Sequence, residues 1–384
     1  MKRIICLMIC LSMTLSGICV YAEGEDAPNL GIDARAAILI EADSGEVLYE
    51  MMPDEQIPIA SVTKIMTMLL IMEAVDGGTL TLDDIVTVSE NAMSYGGSTM
   101  FLEAGEKLTV NDMLKGIAVA SANDGCVAMA EHLAGSESAF VDMMNKKAQE
   151  LGMKNTHFVN TNGLDEDNHY SSARDVSIMS RELLKHNTIF NYTTIWMDTL
   201  RGGKFQLANT NKLIHYYEGA NGLKTGSTSK ALCCLSASAK RDGMQLIAVI
   251  LGAPTSAKRF DGARAMLDYG FANYSVNTPV TAGDNMGSVP VAKGEADEVN
   301  AIASDGLSVL TKKGDGEGIE QEITFYENVT APVKTGDKLG TVRVTRNGEL
   351  IDEIDLTAAA DVNKKSIAAM LREIILSVFF GRAE

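Results

Sequence analysis

The chain has 384 residues, 46% of them hydrophobic and 22% charged, which is enough apolar content for one large or two moderate folded domains and excludes disorder as its main state. Its formal charge is −18, from 33 Lys+Arg against 51 Asp+Glu. Nucleic acid is excluded as a partner, because neutralising phosphates needs a surplus of Lys and Arg.

Residues 1–22 read as a secretory signal: Lys2-Arg3, an apolar run from Ile4 to Val20, then Val20-Tyr21-Ala22 as a cleavage site. Without them the charge is −20 and the cysteines are Cys126, Cys233 and Cys234. An odd number with two adjacent is no disulfide framework, so these read as buried small side chains.

Residues 34–52 form two β-rich runs around Asp43-Ser44-Gly45, the pattern of a hairpin. The apolar run 62–75 is long enough to be a buried helix, with Ser61 at its N-terminal end. Helical spacing continues at 110–120, 126–134, 139–151 and 173–184, while 155–172 is a loop rich in Asn, Asp and His. Strands are expected at 230–240 and 244–251, joined by Arg241-Asp242-Gly243, and a helix at 258–269. Hairpin first, helices between, strands and a helix last: this order predicts an α/β unit over 30–275 whose sheet is assembled from both ends. Turn signals and short alternating runs over 276–358 predict a small all-β domain, a β-sandwich.

The last segment, 361–382, reads as one amphipathic helix. Ile367, Met370, Leu371, Ile374, Ile375, Val378 and Phe379 follow helical spacing, and Lys364, Lys365, Arg372 and Arg382 outnumber Asp361 and Glu373. Such a helix suits a membrane surface; Arg372 and Glu373 interrupt a stretch already too short to span one.

Familiar hydrolytic sites are absent from the sequence: there is no G-x-S-x-G elbow, and none of the five histidines stands in H-E-x-x-H. Gly219-Ala-Asn-Gly-Leu-Lys-Thr departs from a phosphate-binding loop, because Leu223 stands where Gly must precede the lysine. Ser61-Val62-Thr63-Lys64 offers a different base. At i and i+3 on a helix, the Lys64 amine reaches the Ser61 hydroxyl, provided that burial or a second cation keeps it neutral.

Ser121-Ala122-Asn123 and Lys224-Thr225-Gly226 complete a set, S-x-x-K, S-x-N and K-T-G in this order, that resembles the active-site serine penicillin-recognising enzymes. The spacing, and the segments Asn162-Gly163-Leu164, His169 to Asp175 and Asn209-Thr210-Asn211, are similar to low-molecular-mass D-alanyl-D-alanine carboxypeptidases of peptidase family S11. The resemblance spans about residues 30–380. It implies a β-lactamase/transpeptidase-like α/β domain, an antiparallel sheet with helices on both faces plus an α-helical lobe, followed by the small all-β domain and the amphipathic helix.

The resemblance also implies roles. Ser61 would be the nucleophile, Lys64 its base, Ser121 a proton relay to the leaving group, and Asn123 the holder of Lys64 or of the substrate amide. Lys224 would be the second cation, Thr225 with Arg259 would grip a terminal carboxylate, and the backbone N–H groups of Ser61 and of Ser227, which follows Gly226, would form the oxyanion hole. The alternative for Arg259 is a surface helix residue. The expected partners are peptidoglycan stem peptides ending in D-Ala-D-Ala, β-lactam antibiotics and, through the last helix, the outer face of the cytoplasmic membrane; no cofactor and no metal is expected. Rival readings are a β-lactamase-like hydrolase, for which no E-x-x-L-N stands before the K-T-G, and a catalytically silent wall-binding protein.

Each motif recurs elsewhere, as Ser227-Thr228-Ser229-Lys230, Ser89-Glu90-Asn91, Ser275-Val276-Asn277 and Lys334-Thr335-Gly336. Context separates them: only Ser61 heads an apolar helix, only Ser121 lies between apolar helical runs, and Lys334-Thr335-Gly336 reads as a turn.

Overall fold

The computed structural model describes residues 28–314 and 318–380, so the expected signal segment lies outside the described residues. The N-terminal hairpin forms as β1 (Ala36–Glu41) and β2 (Val47–Met51). Its turn is fixed by the buried Glu41 carboxylate, which accepts from Asp43 N, Ser44 N and Ser44 Oγ.

All six residues of β1 are buried, because the strand is covered on both faces and flanked on both edges. It pairs antiparallel with Met244–Ala253, and the sheet continues through Leu232–Arg241 to the edge strand Ala220–Thr228. Successive side chains then divide two cores by the period-two rule. Ile38, Ile40, Ile247 and Val249 face helix α1 (Lys64–Asp76) and the helical lobe, while Ala37, Leu39, Leu246 and Ala248 face the helix Ser256–Asn273.

Lys64 to Met72 of α1 are all buried, as an apolar helix at the centre of a lobe must be. Around it lie Asn123–Ala134, Glu137–Glu150 and Ala173–Leu184, the last two started by Ser136 and Ser172, which accept from the N–H three residues on. The single helix expected over 110–120 is divided into an α-helix, Val110–Lys115, and a π-helical turn, Gly116–Ala120. The short hairpin Met197–Leu200 with Phe205–Ala208 was not expected, since MDTL and FQLA carry too little β-branched pattern to stand out.

Beyond this unit, a five-stranded antiparallel sheet and the ribbon Tyr274–Val280 with Leu307–Lys312 make up the C-terminal region. The ribbon joins the two parts: Leu310 is buried in the core around Ser256–Asn273, whereas Val280 belongs to the core of the second sheet.

The last helix starts later than expected, at Ile367 rather than 361, with Ser366 Oγ accepting from Ala369 N at its start; it is described to Phe380, and residues 381–382 lie outside the described residues. Upstream, side chains find better partners in the β region. Asp361 accepts from Thr335 N, Thr335 Oγ1 and Lys334 Nζ, and Lys365 Nζ lies 3.2 Å from Asp297, while the Lys364 backbone pairs with Gly294 in an isolated β-bridge. Ile367, Leu371 and Ile375 are each more than half exposed, so this apolar edge is not buried on the β region. Among the described residues no helix is long and apolar enough to cross a membrane.

Candidate active site

Ser61 lies in a 3₁₀ turn, Ala60–Thr63, that leads into α1. Two glycines press on this turn: a Cβ on Gly163 would sit 1.9 Å from Ala60 O, and one on Gly226 would sit 2.8 Å from Ser61 N. Ala60 itself has φ 49°, an uncommon value for a residue with a side chain, held in place by the surrounding backbone. The result is a half-buried Ser61 one turn from a fully buried Lys64.

Lys64 Nζ stands 2.8 Å from Ser61 Oγ, 2.7 Å from Asn123 Oδ1 and 2.6 Å from the Asn162 carbonyl oxygen. A neutral amine can donate to the two carbonyls and turn its lone pair to the Ser61 hydroxyl; an ammonium donates to all three. Burial lowers the Lys64 pKa to about 8, against smaller opposing effects of Cys126 and Asp124.

Lys224 is buried in the strand Ala220–Thr228, its Nζ donating to Thr225 O at 2.9 Å. Burial first, then the charge of Lys64, hold it well below the ordinary lysine value. Burial is the leading cause at both lysines, and the charge of one buried amine disfavours charge on the other.

The S-x-N segment is a corner. Ser121 is buried in left-handed conformation (φ 64°, ψ 36°) after the π-helical turn, and Asn123 opens the next helix. Asn123 is fixed through its N–H to Ser98 O and its Nδ2 to Gly96 O, both 2.7 Å. Next to it, the Asp124 carboxylate accepts from Met100 N and Leu102 N, so the 96–102 loop is bound to the same corner.

Thr225 Oγ1 donates to Thr210 Oγ1 at 2.7 Å, and Asn211 Nδ2 donates to Gly222 O at 3.0 Å, so Asn209-Thr210-Asn211 braces the K-T-G strand. Ser227 follows Gly226 and is exposed. Arg259 is only 7% exposed, which rules out the surface alternative. Its Nη1 donates to Gly226 O at 3.0 Å and to Cys234 O at 3.2 Å, tying the guanidinium to the K-T-G strand, while its buried Nε has no hydrogen-bond partner among the described residues.

Several contributors were not assigned from the sequence. The Asn162 carbonyl is one, because a backbone acceptor carries no residue-type signal. His169 is another: Val159 N donates to its Nδ1, so Nε2 carries the proton and donates to Thr63 Oγ1 at 2.8 Å. Burial lowers its pKa to about 4, which keeps it neutral. Asp165 ties the same loop to the strand end, accepting from Thr228 Oγ1 at 2.6 Å and from Lys230 N at 3.3 Å. The motif look-alikes are structural: Ser89 caps the helix Glu90–Ser94, and Lys334 N donates to Asp337 in a turn where Gly336 has φ 90°.

Chemically, the arrangement is a hydroxyl beside a buried amine of lowered pKa, under a strand edge able to offer N–H groups, which suits acyl transfer through a serine ester. Comparison with known proteins agrees with this chemistry. A family profile described as D-alanyl-D-alanine carboxypeptidase, peptidase S11, matches residues 22–255, and one described as the C-terminal domain of penicillin-binding protein 5 matches 274–364. The chain is 46% identical over 354 residues to D-alanyl-D-alanine carboxypeptidase DacF of Bacillus subtilis, covering 91% of each. Among solved structures it is similar to penicillin binding protein 5 from Haemophilus influenzae, with TM-score 0.69, 32% identity, and 87% of this chain and 98% of that one covered. It is also similar to the ampicillin-bound penicillin-binding protein D2 of Listeria monocytogenes, with TM-score 0.58, 32% identity, and coverage of 64% and 100%.

Proposed function

Because the chain belongs to the S11 family of D-alanyl-D-alanine carboxypeptidases, we propose that it removes the terminal D-alanine from peptidoglycan stem peptides through an acyl-enzyme on Ser61, and that penicillin acylates the same hydroxyl. The observation that carries the assignment is the fully buried Lys64 amine 2.8 Å from Ser61 Oγ.

Neutral Lys64 takes the Ser61 proton as Oγ attacks the carbonyl of the penultimate D-alanine. The N–H groups of Ser61 and Ser227 hold the oxyanion, and Gly226 lets the two segments approach closely enough to do so. Collapse expels D-alanine, its amine receiving a proton through Ser121, and water then cleaves the ester. Asn123 and the Asn162 carbonyl keep Lys64 aimed at Ser61 throughout. Thr225 takes the substrate carboxylate, and Arg259, bound to the Gly226 carbonyl, adds positive charge behind it.

The enzyme is exported and sits peripherally on the outer face of the cytoplasmic membrane. Supporting this are the signal pattern of residues 1–22 and the exposed apolar side chains of Ile367, Leu371 and Ile375 on the last helix. Release of D-alanine from diacetyl-Lys-D-Ala-D-Ala by the purified protein, lost in Ser61→Ala, tests the activity; release that persists in the variant contradicts it.

A further inference from the structure

Trp196, the one tryptophan of the chain, forms with His215 and Tyr216 an aromatic cluster apart from the catalytic side chains. Trp196 and His215 stack with centroids 4.9 Å apart and planes 17° from parallel, and Tyr216 stands edge-on to them at 6.3 and 4.6 Å. Such packing is ordinary in a core, but here His215 and Tyr216 are exposed, Tyr216 at 74%. Exposed rings held together in this way offer a surface on which a ligand can stack. On its other side Tyr216 borders a cavity of about 230 Å³ lined by Lys212, Leu213, Tyr217, Phe260 and Arg264.

The cluster is fixed to the substrate strand through very few residues. Asn209 N donates to the Trp196 carbonyl at 2.9 Å, Asn209 Nδ2 donates to Ile195 O at 2.7 Å, and the next residue, Thr210, accepts from Thr225. Trp196 is bonded to Asn209, one Cα step from Thr210, which touches Thr225, so the Trp196 backbone lies within roughly 20 Å of Thr225. A five-residue stem peptide, fully extended, reaches ~17 Å.

We infer that Trp196, His215 and Tyr216 are a sugar-binding platform for the glycan chain that carries the stem peptide, an inference that rests on the proposed carboxypeptidase function. Pyranose rings present C–H faces that stack on aromatic rings, and their hydroxyl and acetamido groups bond to polar tips such as the Tyr216 hydroxyl and the Lys212 amine. With the peptide's carboxyl end at Thr225, the platform lies within the reach of the peptide's other end. A folded protein partner is disfavoured by area: three rings cover far less than the ~800 Å² per side of a stable protein interface.

The lone tryptophan makes the platform directly observable. Titrating the full-length protein with the peptide-free β-1,4 tetramer of N-acetylglucosamine is expected to change Trp196 emission saturably, and Tyr216→Ala is expected to weaken that binding by about tenfold. For turnover, the ratio of kcat/KM on a disaccharide-linked pentapeptide to that on diacetyl-Lys-D-Ala-D-Ala is expected to fall by about fivefold or more in Tyr216→Ala. Unchanged Trp196 emission together with an unchanged ratio overturns the platform, including the case where the surface serves a protein. Failure of the wild type to release D-alanine from either substrate would overturn the catalytic reading instead, and the emission titration separates the two.

Discussion

Gly226 packs on the nucleophile's own backbone: a Cβ at this position would lie 2.8 Å from the Ser61 amide nitrogen and 2.8 Å from Ile59 O. Both neighbours are backbone, so neither can swing away. Gly226→Ala is therefore expected to push the strand from the turn and lower kcat/KM for D-alanine release by about a hundredfold, as a misplacement of about 1 Å can. The protein should still fold. Circular dichroism and a kinetic assay on the same preparation check this, and near-normal activity would show that the strand edge is not part of the oxyanion site.

Lys64 sets the pH dependence. Its pKa is lowered to about 8, and only the neutral amine can accept the Ser61 proton, so kcat/KM is expected to rise about tenfold per pH unit up to about pH 8 and then level off. At pH 7 about one tenth of the enzyme is in the active protonation state. Burial is the leading cause of the lowered Lys64 pKa, ahead of any neighbouring charge. Lys224→Ala should slow acylation through lost contacts and leave the acidic limb near pH 8. A limb that moves up by a pH unit or more in this variant would make Lys224 the tuning cation after all.

Much of this was legible in the sequence. The N-terminal hairpin, the helix Ala173–Leu184, the strands Leu232–Arg241 and Met244–Ala253, and the assembly of one sheet from both ends all follow from periodicity and turn chemistry. Ser61 and Lys64 stood out because i, i+3 spacing fixes their proximity whichever tight helix they occupy. What was hidden depends on backbone: the π-helical turn before Ser121, the Asn162 carbonyl on Lys64, and the pressure of Gly163 and Gly226 on the 3₁₀ turn. The helix expected from 361 failed at its start for a similar reason, since a charge count cannot show that Asp361 is bound by a turn 26 residues upstream.

Arg259 tests how the carboxylate is read. If the guanidinium supplies charge behind Thr225, Arg259→Ala should lower kcat/KM by tenfold or more for peptides with a free C-terminus and by far less for the amidated peptides. Equal loss on both would assign Arg259 to holding the Gly226 and Cys234 carbonyls alone. Arg259→Lys should recover part of the charge effect without the paired hydrogen bonds.

Truncation after Lys365 removes the helix Ile367–Phe380 and leaves the β region's own bonds to Asp361 and Lys365 intact. The truncated protein is expected to stay in the supernatant after centrifugation with anionic lipid vesicles, to keep its melting temperature within a few degrees, and to turn over small peptides normally. If it still sediments with vesicles, the membrane contact lies elsewhere; if it melts far earlier, the helix is structural.

The most direct measurement is the site of penicillin attachment. After a short incubation with benzylpenicillin, intact mass should rise by one penicillin per chain, and proteolytic mapping should place the adduct on Ser61. Ser61→Ala should show no adduct while remaining folded. An adduct on any other residue, or full labelling of Ser61→Ala, would contradict the assignment of Ser61 as the nucleophile.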